Sequence, residues 1–311
     1  MQVLLIVLGA ILGLIYGYKM DGFIFSSKIC LFAGITLIMP TLFNVKLKDI
    51  RLIFQYKIVF VKSILVNYLV LPTVALIIGL LTNNFGIAAG MFLLSVLGGG
   101  GMVMHWIKQS EGDTSIGFIL LFMNLLFVSL SLLMLHTFGL YTASYFEESY
   151  ADEVNVSNFA QAVINYLIIV PFIVSRVVMF IKPLVAFIEK QRSYISNVSI
   201  FVIIFYLFGL QNSQMLFELY DFEPELIYIA LIAVLAFYFA VFLISKLLYR
   251  LDSPQEKAAF WHSVTRYITL ALVISTFTSN TFGISIILPL MIAYIVQIPF
   301  ASYLDKKMNS V

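Results

Sequence analysis

Long apolar blocks separated by short polar breaks dominate this chain. A helix that crosses a bilayer needs about 17–25 mostly apolar residues, and most of the blocks have that length. The runs are continuous rather than alternating, which favours helices over strands. The pattern predicts an all-α integral membrane protein of about ten spans, at 2–17, 23–43, 57–82, 86–107, 115–139, 159–181, 194–211, 225–249, 258–278 and 280–303.

The composition also indicates that lipid rather than water surrounds much of the chain. Of the 311 residues, 62% are hydrophobic and 11% are charged, whereas soluble domains carry about 25% charged residues. The net charge is only +2, and binding of nucleic acid requires clustered basic residues, so no nucleic-acid partner is expected. The single cysteine, Cys30, excludes an intramolecular disulfide and a multi-thiolate metal site. Nucleotide and hydrolytic motifs are missing from the sequence, so neither an enzyme nor a cofactor is expected.

The charged residues of the linkers predict an orientation. Basic residues follow spans 2, 6 and 8 and occupy the tail, and they are Lys46, Lys48, Arg51, Lys57, Lys182, Lys190, Arg192, Lys246, Arg250, Lys257, Lys306 and Lys307. The linkers after spans 5 and 7 are acidic. Cytoplasmic loops are enriched in Lys and Arg. We therefore expect a plasma (inner) membrane protein with both termini in the cytoplasm.

An acidic segment divides the chain into two halves. Residues 141–158 form this extracytoplasmic linker, between a first half at 1–140 and a second half at 159–303, with a cytoplasmic tail at 304–311. Each half contains five predicted spans. An odd number makes equivalent helices run in opposite directions, so the arrangement predicts two inverted five-helix repeats.

Four consecutive glycines interrupt the fourth span at Gly98, Gly99, Gly100 and Gly101. Each costs a helix about 1 kcal/mol relative to Ala. Unwound backbone at membrane depth is tolerated only where protein or a watery cavity surrounds it. We therefore predict a broken helix whose backbone lines a substrate site. The alternative is an intact helix whose smooth face packs closely against a neighbour.

The ninth span carries an intramembrane cation. Arg266 lies nine residues beyond Lys257, which places it roughly 13 Å along the helix. An Arg at that depth normally faces a bundle interior or a water cavity and indicates a functional site. His262 and Arg266 are four residues apart and Thr269 follows three later, so the spacing predicts that all three share one helix face and contribute to a binding site. The alternative for Arg266 is a structural anchor held by backbone carbonyls.

Two asparagines occur at a similar depth, Asn67 in the third span and Asn124 in the fifth. They are candidates for the same polar pocket. The alternative is that each forms a hydrogen bond between helices, as buried Asn often does in membrane proteins.

Four segments together resemble the bile acid:sodium symporter superfamily, which includes an arsenite-efflux branch. Ile38 to Asp49, with its Pro40 and Asn44, is similar to the end of the family's second span. Asn67 to Pro72 is similar to a polar-aromatic-x-x-x-Pro motif of the third. The glycine run through Trp106 to Gly112-Asp113 resembles the fourth helix and its exit, and Leu251 to Ala271 resembles the start of the ninth.

The resemblance implies a panel domain and a core domain, in which broken helices 4 and 9 cross at their unwound centres. It would place the binding region beside the glycines, Asn67, Asn124, His262 and Arg266. Where sodium-coupled members carry a Glu and a following Gln, this chain has His262 and Arg266. A Ser-Asn pair of the family falls on Val103-Met104, and the cysteine of the arsenite branch falls near Gly99. The resemblance therefore implies the fold without the usual sodium sites.

These observations predict a secondary transporter for a small, anionic organic solute, working by alternating access. Arg266 would replace the bound sodium as a tethered cation, and His262 is the candidate for coupling to protons. Sodium coupling is not expected. The alternative is a non-transporting membrane sensor or partner-binding subunit of the same fold.

Overall fold

The structure, a computed structural model, describes residues 2–20, 22–23, 28–43, 51–100, 102–148, 150, 165–213 and 224–309. Within these ranges the chain forms helices joined by turns and short irregular segments, and a single isolated bridge is the only strand-like pairing there. The prediction of an all-α chain is confirmed for this part of the molecule. Positions 149 and 151–158 of the predicted acidic linker lie outside the described residues.

In chain order the described α-helices are α1 (Gln2–Lys19), α2 (Lys28–Ala33), α3 (Met39–Leu42), α4 (Arg51–Gln55), α5 (Lys57–Leu65), α6 (Leu71–Leu81), α7 (Phe85–Val96), α8 (Val103–Gln109), α9 (Thr114–Leu126), α10 (Val128–Thr142), α11 (Val170–Val178), α12 (Lys182–Lys190), α13 (Arg192–Ser213), α14 (Pro224–Leu248), α15 (Pro254–Val264), α16 (Ile268–Phe282) and α17 (Ile287–Asn309). Wider π-helical turns at Gly34–Ile38 and Val66–Val70 join α2 to α3 and α5 to α6.

Three helical segments of the described chain are long and apolar enough to cross a membrane, namely Lys57–Leu81, Glu225–Leu248 and Ile287–Lys306. The number rises to five if two bent helix pairs are each counted as one span. One pair is α9 with Val128–Phe146, bent by 50°, and the other is α11 with α12, bent by 114°. The helices are those of an integral membrane protein. The predicted ten spans and inverted repeats stay predictions.

The described helices belong to two compact units, each assembled from both halves of the sequence. One comprises Met1–Val45 and Ser157–Pro224, and the other comprises Lys46–Val156 and Glu225–Val311. In the first unit α1 packs along α13. A Cβ at Gly13 would lie 2.4 Å from the carbonyl oxygen of Phe205. Glycine therefore allows the backbones of α1 and α13 to come this close, as small residues do at many helix contacts in membranes.

In the second unit, polar side chains fix where the short helices begin. The side-chain oxygen of Asn84 accepts from the amide of Ile87 at the start of α7. Asp113 does the same for the first turn of α9, and Ser253 caps α15. Each cap satisfies amides that the first helical turn leaves without a partner. These starts position the two helix breaks that form the candidate site.

Candidate functional site at two paired helix breaks

The first break follows α7, which ends at Val96, and α8 begins only at Val103. Gly99 has a φ of +67°, a conformation that residues with a Cβ rarely adopt. The predicted interruption of the fourth span is therefore confirmed. Gly98, Gly99 and Gly100 all lie in it, whereas Gly101 falls outside the described residues.

The second break lies at Thr265, Arg266 and Tyr267, between the end of α15 at Val264 and the start of α16 at Ile268. It corrects one expectation from the sequence. His262, Arg266 and Thr269 do not share the face of one continuous helix, because Arg266 lies between two helices and Thr269 belongs to the second. The Thr269 hydroxyl instead forms a hydrogen bond with that of Tyr294.

The two breaks pair with each other through backbone hydrogen bonds. Gly98 and Arg266 form an antiparallel bridge. The amide of Gly99 donates to the carbonyl oxygens of His262 at 2.7 Å and Thr265 at 2.8 Å, and the amide of Tyr267 donates to that of Leu97 at 2.9 Å. Each unwound segment thus satisfies backbone groups of the other, as the absence of water inside a membrane requires.

The Arg266 side chain extends between the carboxyl ends of two helices and is 1% exposed. At the end of α7 its guanidinium donates to the carbonyl oxygen of Leu94 at 3.0 Å and to that of Ser95. At the end of α15 it donates to the carbonyl oxygen of Ser263 at 2.9 Å. Carbonyls at helix C-termini carry partial negative charge. The guanidinium therefore neutralises two negative helix ends at once.

Asn67 supplies the fourth bond to the guanidinium, with its Oδ1 2.6 Å from Nη1 of Arg266. Its amide nitrogen donates back to the carbonyl oxygen of Ser63 at 2.8 Å. Asn124 donates to the carbonyl oxygen of Gly98 at 2.6 Å and accepts from the Tyr68 hydroxyl at 3.0 Å. Both asparagines are buried. Both form hydrogen bonds between helical segments, as the alternative interpretation predicted, and a role in a substrate pocket stays a prediction.

Gln297 on α17 is a member of this cluster that the sequence analysis missed. Its Oε1 accepts from the Arg266 amide at 2.6 Å, and its Nε2 donates to the Arg266 carbonyl oxygen at 3.3 Å. The Tyr238 hydroxyl donates to the same Oε1 at 2.8 Å. A Gln inside the apolar run at 286–300 was the signal in the sequence that could have identified it.

His262 lies in α15 beside a cavity of about 10 Å³, whose polar lining comes from Ser63, Asn67, Tyr68 and Asn124. Such a volume holds about one water molecule. The imidazole is 3% exposed and packs against Gly99, where a Cβ would lie 2.6 Å from the ring. The Leu120 carbonyl faces the ring, but neither ring nitrogen forms a hydrogen bond of normal geometry with the described residues. The cavity is much smaller than an organic solute.

The arrangement also bears on cation binding. Four oxygens at this centre accept from Arg266, and the described residues contain no group of three or more His, Cys, Asp and Glu able to hold a metal. Val103 and Met104, at the start of α8, offer no side-chain oxygen. The described centre therefore holds a protein cation where carbonyl groups converge.

Replacing Asn124 with Ala should lower the free energy of unfolding by about 1–3 kcal/mol, because it leaves the Gly98 carbonyl and the Tyr68 hydroxyl without this partner. Thermal unfolding of the purified protein in detergent measures the effect. Tyr68→Phe is the matched control, since it leaves the bond from Asn124 to Gly98 in place and should cost less. Equal melting temperatures for wild type and Asn124→Ala would show that the contact to Gly98 does not hold the break.

Comparison with known proteins now assigns the chain. No curated protein matches it. The family model described as the sodium bile acid symporter family matches residues 29–218, more than half of the 311 residues. The match includes the glycine break, Asn67 and Asn124, and it ends before α15 and α16, which carry His262 and Arg266. The resemblance noted in the sequence is thus confirmed: the chain belongs to the sodium bile acid symporter family, whose members transport solutes across membranes.

Proposed function

We propose that this protein is a sodium-independent secondary transporter for a small organic anion, in which Arg266 takes the place of the coupling cation. The observation that carries the proposal is the guanidinium bound between the C-terminal carbonyls of α7 and α15. In transporters with broken helices, unwound carbonyls and half-helix C-termini are the groups that coordinate sodium. In this protein the guanidinium of Arg266 donates hydrogen bonds to carbonyl oxygens of that kind.

Electrostatics and ligand supply both disfavour sodium beside Arg266. Two unit charges 4 Å apart repel by about 4 kcal/mol at an effective dielectric constant of 20. Sodium would also have to displace the guanidinium from the carbonyls of Leu94, Ser95 and Ser263, since all three already accept from it. The guanidinium of Arg266 supplies the single positive charge that a bound sodium ion would supply, and it does not depend on the sodium concentration on either side of the membrane.

The preference for an anion rests on charge. Arg266 cannot lose its proton in a protein under physiological conditions, and its guanidinium bonds to carbonyl and amide oxygens, with no ion pair to a carboxylate among the described residues. The amino end of α16 starts two residues later and adds a positive helix end. We propose that the solute binds near these charges. Its site would include Gly98, Gly99 and Gly100 of the first break, the adjacent Gly101, and His262 and Thr269 on the helices beside the second break, together with Asn67 and Asn124.

The proposed architecture is ten spans in two inverted repeats, with both termini in the cytoplasm and alternating access around the paired breaks. Its support is the odd number of apolar blocks in each half and the basic and acidic linkers on opposite sides. His262 is the proposed proton-coupling group, because its ring borders the small polar cavity and forms no hydrogen bond of normal geometry with the part of the chain that the structure describes.

Transport in proteoliposomes tests the proposal. A thermal-shift screen of carboxylates and sulfonates first selects the anion that stabilises the protein most, since ligands that bind the folded state raise its stability. Uptake of that anion should change by less than about twofold when choline replaces sodium. It should rise when an inward proton gradient is imposed, and His262→Gln should remove that rise. Stimulation of uptake by sodium of about tenfold or more would contradict the proposal.

A further inference from the structure

The helix α12 leaves the preceding helix at a steep angle. The axes of α11 and α12 differ by 114° across the short break between them. Pro183 lies in the first turn of α12, where a missing backbone N–H removes no helical bond. If α11 runs across the bilayer, a bend not far from a right angle turns α12 towards the membrane plane. From its charges, this segment was expected to be a linker after the sixth span.

One face of α12 is apolar and open. None of its nine residues, all of which the structure describes, is buried. Leu184 is 38% exposed and Phe187 is 58% exposed, and Phe180 just before the helix is 87% exposed. Leu184 and Phe187 are three positions apart and therefore lie on the same face. Val185 and Ile188 are partly covered. The helix therefore contacts the rest of the protein along one side, and the side chains of Leu184 and Phe187 remain exposed.

The opposite face is polar and mainly basic. Lys182 and Lys190 lie at the two ends of the helix and Arg192 follows it, whereas Glu189 is the single acidic residue of α12. Apolar side chains on one face and Lys on the other are typical of helices that lie in a membrane interface. Basic residues beside a span are attracted to the anionic lipids of a leaflet.

We propose that α12 lies in the interface of the bilayer that the protein spans, with Leu184 and Phe187 among the acyl chains and with Lys182 and Lys190 bound to anionic lipid headgroups. The occupant of the exposed face is thus lipid. Two features favour lipid over a protein partner. The helix directly follows an apolar helix of a membrane protein, and its cations flank its apolar face at both ends.

Site-directed spin labelling of the full chain tests the inference, and the single cysteine makes the labelling simple. In a Cys30→Ala background, nitroxide labels are attached at Leu184→Cys and Phe187→Cys. Ala186→Cys, on the opposite face of the same helix, is the matched control. The protein is reconstituted in vesicles of phosphatidylcholine and phosphatidylglycerol. Collisions with oxygen, which concentrates in lipid, and with a water-soluble nickel chelate are measured at each label.

Labels at 184 and 187 should collide with oxygen several-fold more, and with nickel several-fold less, than the label at 186. This contrast should fall at least about twofold in pure phosphatidylcholine or after Lys182→Gln with Lys190→Gln. Equal nickel access at all three positions would overturn the proposal, as would shielding of 184 and 187 from both reagents, which indicates a protein contact. Uniformly high oxygen access would overturn it in favour of a segment inside the hydrocarbon core. A contrast that is unchanged in pure phosphatidylcholine would overturn the binding of anionic headgroups.

Discussion

Replacing Arg266 with Gln should abolish transport and lower the free energy of unfolding by about 3–5 kcal/mol, because several buried acceptors lose their donor together. The substitution removes the positive charge and deprives the carbonyls of Leu94, Ser95 and Ser263 of their donor. Buried acceptors without donors cost about 1–3 kcal/mol each, partly relieved by local rearrangement. Anion uptake in proteoliposomes and thermal unfolding in detergent measure the two effects.

The melting temperature of Arg266→Gln in sodium and in choline distinguishes two roles of Arg266, the replacement of a bound cation and a purely structural contact. In Arg266→Gln the freed carbonyls and the new amide oxygen face a centre without a charge, so sodium should stabilise this variant more than choline does. Arg250→Gln is the matched control, because Arg250 is exposed in the same unit, and it should leave uptake and melting unchanged. Full transport by Arg266→Gln would contradict the assigned role, and a melting temperature equally low in both salts would reduce Arg266 to a structural anchor.

Replacing Gly99 with Ala should also abolish transport. Its φ of +67° costs a residue with a Cβ about 1–3 kcal/mol. The added methyl would lie 2.6 Å from Cδ2 and 2.8 Å from Nε2 of His262, and overpacking of this kind costs about 1–3 kcal/mol more. Because the Gly99 amide holds the two breaks together through His262 and Thr265, the strain acts directly on their pairing. Uptake and thermal unfolding are again the readouts.

The neighbouring glycine is the matched control for this substitution. A Cβ at Gly100 would lie 3.1 Å from the carbonyl oxygen of Arg266, and the backbone there is not in the left-handed region. Gly100→Ala should therefore cost about 1 kcal/mol and retain a measurable fraction of transport. If both substitutions reduced stability equally, the conformation of Gly99 would not be what the paired breaks require.

The sequence predicted those features that local chemistry determines. Continuous apolar runs imply helices in lipid, and four glycines together are poor helix formers, so both the all-α fold and the break after α7 could be predicted. The depth of Arg266, Asn67 and Asn124 along their spans suggested a common polar centre, because polar groups at such depth need partners. The structure brings those three side chains into one hydrogen-bonded cluster.

Features that depend on distant contacts could not be predicted from the residues alone. The break at Thr265 to Tyr267 contains neither glycine nor proline, and several of its backbone groups bond to the distant residues Leu97, Gly99 and Gln297. The resemblance to the family, rather than helix propensity, suggested it. The bend after Leu126 and the helix α12 were missed, because an apolar run does not show where its axis turns.

Binding of radioactive ²²Na⁺ to the purified wild-type protein tests the central claim most directly, because it needs no knowledge of the solute. If the guanidinium of Arg266 replaces the coupling cation, wild type should show no saturable component at millimolar sodium, above the background that excess unlabelled sodium leaves. Arg266→Gln should acquire such a component. Saturable sodium binding by wild type, with Arg266 in place, would contradict the account.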